Sequence, residues 1–229
     1  MQPIVVWVIL DANAAVFLAW QVLGPTPLMT DNFLVSWNAL EEGRYWTLLG
    51  SEFSHMGFLH FFLNMYVLTT FGLIVEQTIG SRRFLGFYLV AAIVASLGHA
   101  GVSAYLLAKP ELPALGASGA LSGIVLLFAL MYPRTQLLLF GIVPLPALLG
   151  ALLFVGLDVV GLIAQSEGGG LPIGHGAHLG GALTGVLYYF VVIRPLMRAP
   201  RREVLDFTNL ARWRGWIAVQ LTDIDGRKD

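Results

Sequence analysis

Two short strings sixty residues apart contain a possible nucleophile and a possible base. Ser118 lies in Gly-Ala-Ser-Gly, residues 116–119, and His178 lies in Ala-His-Leu-Gly-Gly, residues 177–181. Each string opens a long apolar run, so both side chains are predicted at the mouths of membrane helices. A serine that gives its proton to an imidazole is a nucleophile for acyl transfer. The pair therefore suggests proteolysis within the membrane.

A second pair of polar residues could stabilise the charge that such an attack creates. His60 and Asn64 are four residues apart, which places them on one face of a helix. Both can donate hydrogen bonds, and together with the backbone N–H of Ser118 they could form an oxyanion site. Alone, the pair could equally line a polar contact between helices.

The two principal strings also have structural interpretations. Gly-Ala-Ser-Gly could be a small-residue packing seam, which is common between membrane helices. His178 could be hydrogen-bonded between helices without reacting. Gly181 and Gly185 form a G-x-x-x-G ridge that would bring a neighbouring helix close to His178.

A metal site is the main chemical alternative. The chain has five histidines, His55, His60, His99, His175 and His178, and all are predicted towards the same side of the membrane. His175 and His178 are spaced i, i+3. However, the chain has no H-E-x-x-H string, and no carboxylate lies at ligand spacing beside the pair His175 and His178 or the pair His55 and His60. We therefore expect no metal.

Three further polar residues fall inside predicted spans. Asp158 could orient His178 as the third member of a triad, although a neutral or paired structural carboxylate is the favoured interpretation. Asp11 and Asn13 are predicted to form hydrogen bonds between helices.

The composition identifies a membrane protein. Of 229 residues, 57% are hydrophobic and 12% are charged, the net charge is −1, and the mean hydropathy is +0.75. A soluble domain carries about twice that charged fraction. The absence of cysteine excludes disulfides, thiol nucleophiles and zinc–thiolate sites. The first apolar run lacks a basic start and a cleavage site, so we expect a retained helix rather than a removed leader.

Six membrane spans are predicted, which gives an all-α, polytopic fold. They cover residues 3–23, 57–76, 84–107, 116–132, 147–164 and 177–197. Segment 134–146 carries two prolines and is predicted to be an interfacial connector. Residues 1–198 would form one membrane domain, and residues 199–229 a short tail that is either an interfacial amphipathic helix or solvated.

The basic residues of the connections indicate the orientation. Arg82, Arg83, Arg134 and the arginines after span six all fall on one side, while the other connections are mainly acidic. Basic loops face the cytoplasm, so both termini are expected there. Spans two, four and six then begin at the outer face, and they place His60, Asn64, Ser118 and His178 at a similar depth.

The pattern resembles the rhomboid family of intramembrane serine proteases over about residues 40–195. The resemblance depends on H-F-F-L-N (60–64), G-A-S-G-A (116–120) and A-H-L-G-G-A-L-T-G (177–185), in family order on spans two, four and six. It implies a six-helix core and a Ser118–His178 dyad. It also implies an oxyanion site of His60, Asn64 and the Ser118 N–H, and chemistry without a cofactor.

The resemblance further implies the partners. The substrates would be membrane proteins whose transmembrane segments unwind easily near the outer face, and no nucleic acid would be involved. The simplest location is a bacterial inner membrane, with an organellar membrane as the alternative. Loop 165–176 could be a mobile cap over the site or an ordinary connector. A catalytically inactive rhomboid-like binding protein is the second functional hypothesis, and a transporter is the third.

Two positions depart from the family pattern. Gly43 precedes Arg44 where the family often has tryptophan, and Trp46 could replace it as an interface anchor. Ser122 stands where some members have a tyrosine that stacks on the base. How His178 is held is therefore open from the sequence.

Overall fold

The computed structural model describes residues 3–139 and 142–198, and this part of the chain is almost entirely helical. The elements are α1 (Val5–Leu23), α2 (Pro27–Phe33), α3 (Trp37–Glu41), α4 (Thr47–Gly50), α5 (Phe58–Ile79), α6 (Ser81–Leu106), α7 (Ser118–Met131), β1 (Gln136–Leu139), β2 (Val143–Pro146), α8 (Ala147–Ser166) and α9 (His175–Met197). The all-α polytopic fold is confirmed.

The six predicted spans correspond to α1 and α5 to α9, with ends that agree within three residues. Within the described residues, five of these helices are long and apolar enough to cross a membrane, and α7 is shorter. The apolar runs predicted the spans well because a chain that crosses the water-free hydrocarbon core needs a continuous apolar helix of sufficient length.

Helix α7 is both short and central. Its 14 residues extend about 21 Å, whereas the hydrocarbon core is about 30 Å thick. Its side chains are mostly buried, including Ile124 and Leu127, which have no exposed surface. A short helix in the middle of the bundle can begin below the membrane surface, so the residue at its first position, Ser118, lies deep among its neighbours.

Glycines bring α7 and α9 into backbone contact. A Cβ added to Gly181 would overlap the carbonyl of Gly119, and one added to Gly185 would overlap the carbonyl of Gly123. The predicted G-x-x-x-G ridge therefore packs against a matching small-residue face of α7. Both the packing-seam interpretation and the close approach of His178 follow from this contact.

The first loop folds against the C-terminal end of α6. Val35 pairs with Ala114 in an isolated bridge, and Val35, Leu40 and Ala100 form a small apolar cluster. Ser54 accepts a 2.6 Å hydrogen bond from the indole of Trp20 on α1. The loop is therefore a fixed part of the bundle.

Segment 134–146, predicted as a connector, contains two antiparallel strands in which Gln136 pairs with Pro146. The prolines exclude a helix, and a two-stranded sheet tolerates them because each strand has a free edge. The interfacial position of this segment stays a prediction.

The two polar residues of α1 differ. The amide of Asn13 donates to the carbonyl of Ile9 in its own helix, and its side chain also neighbours the hydroxyl of Tyr88 on α6. Asp11 is exposed and shows no interhelical hydrogen bond among the described residues, which corrects the prediction for that residue.

The domain boundary remains a prediction. Residues up to Leu196 cluster as one compact unit. The predicted tail, 199–229, lies outside the described residues.

Candidate active site

Ser118 is the first residue of α7, and a tight turn precedes it. Gly116 has φ +115°, a conformation that favours glycine, and a Cβ there would lie 2.5 Å from Cε1 of His60. The N–H of Gly116 donates to the carbonyl of Ser51 at 2.8 Å. This turn therefore aims the beginning of α7 at the His60 ring and leaves its first N–H groups free of helical partners.

The hydroxyl of Ser118 and the ring of His178 are in contact. Oγ of Ser118 lies 2.9 Å from Nε2 of His178, within hydrogen-bond range. The two residues stand at the beginnings of α7 and α9, and the glycine contact between these helices sets the distance. The sequence predicted that these two residues lie at a similar depth, and their catalytic roles stay a prediction.

Asp158 occupies the other edge of the same ring. Its Oδ1 lies 2.9 Å from Nδ1 of His178 and 2.7 Å from Nδ1 of His175. An ionised carboxylate only accepts hydrogen bonds, so beside an ionised Asp158 each ring would donate from Nδ1. In a neutral His178 ring of that tautomer, Nε2 would be the acceptor that faces Ser118.

This arrangement revises the sequence interpretation of Asp158 and of the histidines. Asp158 is a paired carboxylate, as favoured, but it is paired with His178 in the orienting position of a triad. The sequence has no carboxylate at ligand spacing beside a histidine pair, but in the structure α8 brings Asp158 next to His175 and His178. Linear spacing could not show this, since Asp158 is 17 residues from His175.

His60 and Asn64 lie on either side of Ser118. His60 lines a cavity of about 530 Å³ that Ser118 and His178 also line. Asn64 lines a second, larger space, of about 840 Å³, that reaches Ser118 and His178 from the other side. The amide of Asn64 donates one N–H to the carbonyl of His60 at 2.7 Å, and its NH2 group has a second N–H for another acceptor.

The larger space is a groove between α5 and α8. Its walls include Tyr66, Leu121 and Phe154, and the hairpin contributes Leu137 and Leu145. It therefore extends from the Ser118–His178 pair towards the opposite end of α7. Loop 165–176, for which the sequence left a cap or a connector open, lines the smaller cavity through Gln165 and residues 172–174.

Phe154 supplies the aromatic neighbour that the sequence lacks after Ser118. Its ring centroid lies 5.6 Å from that of His178 at an angle of 31°. Ser122 instead donates to the carbonyl of Ser118 at 2.8 Å. The base is thus held by Asp158 and Phe154, both from α8.

In the first loop, where Gly43 stands in place of the family's tryptophan, Arg44 forms ion pairs. Arg44 bonds to Asp31 at 3.2 Å and to Glu42 at 2.6 Å, and Gly43 has φ +83°. Trp46 is 55% exposed, as an interface anchor would be.

Sequence reasoning missed the role of His55 near the site. Its ring packs edge-on against His60 at 4.9 Å, and its Nε2 accepts the N–H of Ala117 at 3.4 Å. Burial, with the neighbouring His60, lowers the pKa of His55 to about 3. A neutral His55 therefore supports the turn that precedes Ser118.

The position of Glu52 beside the site was also not predicted, because from the sequence it counted only as one acidic charge of the first loop. Its carboxyl is buried, with Ser96 3.3 Å from Oε1 and the N–H of Ala120 3.4 Å from Oε2. Burial raises the pKa of Glu52 to about 8. The carboxyl contacts the first turn of α7, two residues beyond Ser118, and lines the same cavity.

The fold and the site together define a class of polytopic membrane protein. Its members would carry a serine and a histidine in contact at the beginnings of two helices, and a carboxylate from the second half of a third that contacts the histidine. The family model for the Rhomboid domain matches residues 42–195 of this chain. The chain belongs to the rhomboid family, and the resemblance predicted from the three strings is confirmed.

Three relatives show how far the similarity extends. RHOMBOID-like protein 12, mitochondrial, of Arabidopsis thaliana is 34% identical over 75% of this chain and 53% of its own length. Rhomboid protein 1, mitochondrial, of Saccharomyces cerevisiae is 30% identical over 87% and 56%. Presenilin-associated rhomboid-like protein A, mitochondrial, of Danio rerio is 34% identical over 79% and 45%. The chain spans about half the length of these relatives.

Proposed function

We propose that this protein is an intramembrane serine endopeptidase. The observation that carries the proposal is the 2.9 Å contact between Oγ of Ser118 and Nε2 of His178. Asp158 on the opposite edge of the ring leaves that nitrogen unprotonated, which is the state that a general base requires.

The proposed reaction begins with attack of the Ser118 oxygen on a peptide carbonyl, while Nε2 of His178 takes the hydroxyl proton. Asp158 stabilises the imidazolium that forms. His178 then gives the proton to the departing amine nitrogen as the C–N bond breaks. Water, deprotonated by the same nitrogen, releases the acyl group and restores Ser118.

The oxyanion of the tetrahedral intermediate would be stabilised at the N-terminus of α7. The Ser118 N–H, His60 and Asn64 are the proposed donors, and one such donor contributes about 3–4 kcal/mol in comparable enzymes. Both His60 and Asn64 adjoin Ser118 through the two spaces described above. Asn64 would donate its second N–H to the oxyanion, and catalytic hydrogen bonds often tighten only with substrate present.

The position of the groove favours membrane proteins as substrates. An apolar channel that reaches the reacting residues from the side of α5 and α8 suits a transmembrane segment that approaches through lipid. A peptide bond inside a helix is shielded, so segments that unwind near the outer face would be preferred. The reaction as proposed needs no cofactor.

We propose a multi-pass location with both termini in the cytoplasm, in a bacterial inner membrane. The relatives named above are mitochondrial, so an organellar membrane is the alternative. In either membrane, the active face would lie opposite to the basic connections.

A fluorophosphonate probe tests the proposal, because it reacts covalently with an activated serine. The native protein should be labelled, and Ser118→Ala and His178→Ala should not. Ser122→Ala is the matched control, since Ser122 lies one turn further along α7 and bonds to a carbonyl. Absence of labelling in the folded native protein would favour the inactive binding protein instead.

A further inference from the structure

One carboxylate oxygen serves two histidines in this site, and only one of them contacts Ser118. Asp158, His175 and His178 are 4%, 6% and 9% exposed. Nε2 of His175 has no hydrogen-bond partner among the described residues, and its ring packs against Gly161. The proposed hydrolysis uses His178 and Asp158, but it assigns no role to His175.

The three side chains offer ligand atoms close enough for a single metal ion. One ligand atom from each lies within 4.8 Å of the others, and the Nδ1 atoms lie 2.7 and 2.9 Å from Oδ1 of Asp158. Zinc bonds of about 2.0–2.2 Å in tetrahedral geometry separate ligand atoms by about 3.4 Å. Both Nδ1 atoms would therefore move away from Oδ1 of Asp158 by about half an ångström to bind the ion.

We propose that Asp158, His175 and His178 form an inhibitory binding site for a divalent transition cation such as Zn²⁺. Two imidazoles and one carboxylate are a donor set that Zn²⁺ accepts. His178 lines the cavity, and Asp158 and His175 lie behind its ring, so an ion would reach them past His178. The carboxylate of Asp158 would neutralise one of the two positive charges of the bound cation.

The inhibition follows from the two nitrogens of His178, and it rests on the proposed function. A metal on Nδ1 requires the lone pair of that nitrogen, so the ring proton moves to Nε2. Nε2–H then faces Oγ of Ser118 as a donor and cannot take the hydroxyl proton. The metal would thus convert the general base into a hydrogen-bond donor without moving Ser118.

The chain is well suited to a direct binding test. It has no cysteine, so thiolates cannot bind the added metal. His99 is a buried histidine that contacts the Leu112 carbonyl at 3.0 Å, outside the cluster, and it provides a matched control.

Binding is measured first with Co²⁺ on the full-length Ser118→Ala protein in detergent. Intense visible d–d absorption is expected on binding, and Zn²⁺ should displace it. Adding His175→Gln should weaken binding at least tenfold, and adding His99→Gln should not. Asp158→Asn provides a second variant if His175→Gln unfolds, and it should weaken binding similarly. No cobalt absorption, or an affinity unchanged by both cluster substitutions, would overturn the site.

Inhibition is measured second, as the rate of fluorophosphonate labelling of the native protein. Zn²⁺ should slow labelling at least tenfold at saturation, and a chelator should restore it. Unchanged labelling with Zn²⁺ bound would overturn the inhibitory role. If the native protein is not labelled even without metal, the proposed protease fails while the cobalt spectrum still decides the metal site.

Discussion

Asp158 contacts the edge of His178 that faces away from Ser118, with Oδ1 2.9 Å from Nδ1. This contact favours the tautomer with the proton on Nδ1, which leaves Nε2 as the nitrogen that faces the Ser118 hydroxyl. The same carboxylate holds His175, so one residue of α8 orders two residues of α9.

Replacement of Asp158 by asparagine should reverse that tautomer. The asparagine amide can donate to Nδ1, which places the proton on Nε2 and removes the general base. A comparable change in a Ser-His-Asp protease lowers kcat about 10⁴-fold, and we expect a loss of about 10²–10⁴-fold here. The measurement is the rate of fluorophosphonate labelling, or kcat/KM once a substrate is known.

The matched control is Asp11→Asn, because Asp11 is exposed on α1 and far in sequence from the site. It should keep the native labelling rate. A native rate in Asp158→Asn would show that packing alone holds His178.

A methyl group at Gly185 should separate α7 from α9. The added Cβ would overlap the carbonyl of Gly123, so the helices must move apart. Overpacking of this kind costs about 1–3 kcal/mol. We expect a lower midpoint of thermal unfolding in detergent, together with slower labelling, because the same contact sets the distance between Ser118 and His178.

Gly156→Ala provides the comparison on α8, where a Cβ would meet nothing within 4 Å. It should unfold at or above the native midpoint, since alanine favours helices. Equal midpoints for the Gly185 and Gly156 variants would contradict the proposed role of the glycine contact.

The pH dependence of stability should reflect Glu52. Burial raises its pKa from 4.5 to about 8, so the folded protein keeps a proton that the unfolded chain has lost. Stability therefore falls as the pH rises from about 4.5 to about 8 and levels off above that range. Glu52→Gln removes this titration and resembles the neutral acid in shape.

The test is a series of thermal unfolding midpoints of native and Glu52→Gln protein across that pH range. The midpoint of the variant relative to native should rise with pH. Glu41→Gln is the control, because Glu41 is an exposed residue of the first loop. A constant difference between Glu52→Gln and native protein would mean that Glu52 does not titrate in this range.

The sequence predicted those features that depend on local pattern. Apolar runs located the six spans, and the strings around Ser118 and His178 located the two residues that are in contact. Phe154 was not recognised as a neighbour of His178, and Asp158 was named as a possible partner but not favoured. Both come from α8, and only the packing of α8 on α9 brings them to the ring. Likewise, Glu52 was interpreted as a loop charge, since burial of the first loop is a property of the assembled bundle.

The orientation of the bundle can be tested with single cysteines, because the chain has none of its own. Arg82 lies in the first turn of α6, and Glu167 follows α8, so successive crossings place them on opposite sides. Both residues are exposed. In sealed cells or right-side-out vesicles, Glu167→Cys should react with a membrane-impermeant maleimide, whereas Arg82→Cys should react only after permeabilisation. Lys109→Cys, in the connection after α6, should behave like Glu167→Cys. The reverse pattern would place the Ser118–His178 pair nearer the cytoplasmic face and refute the orientation inferred from the basic connections.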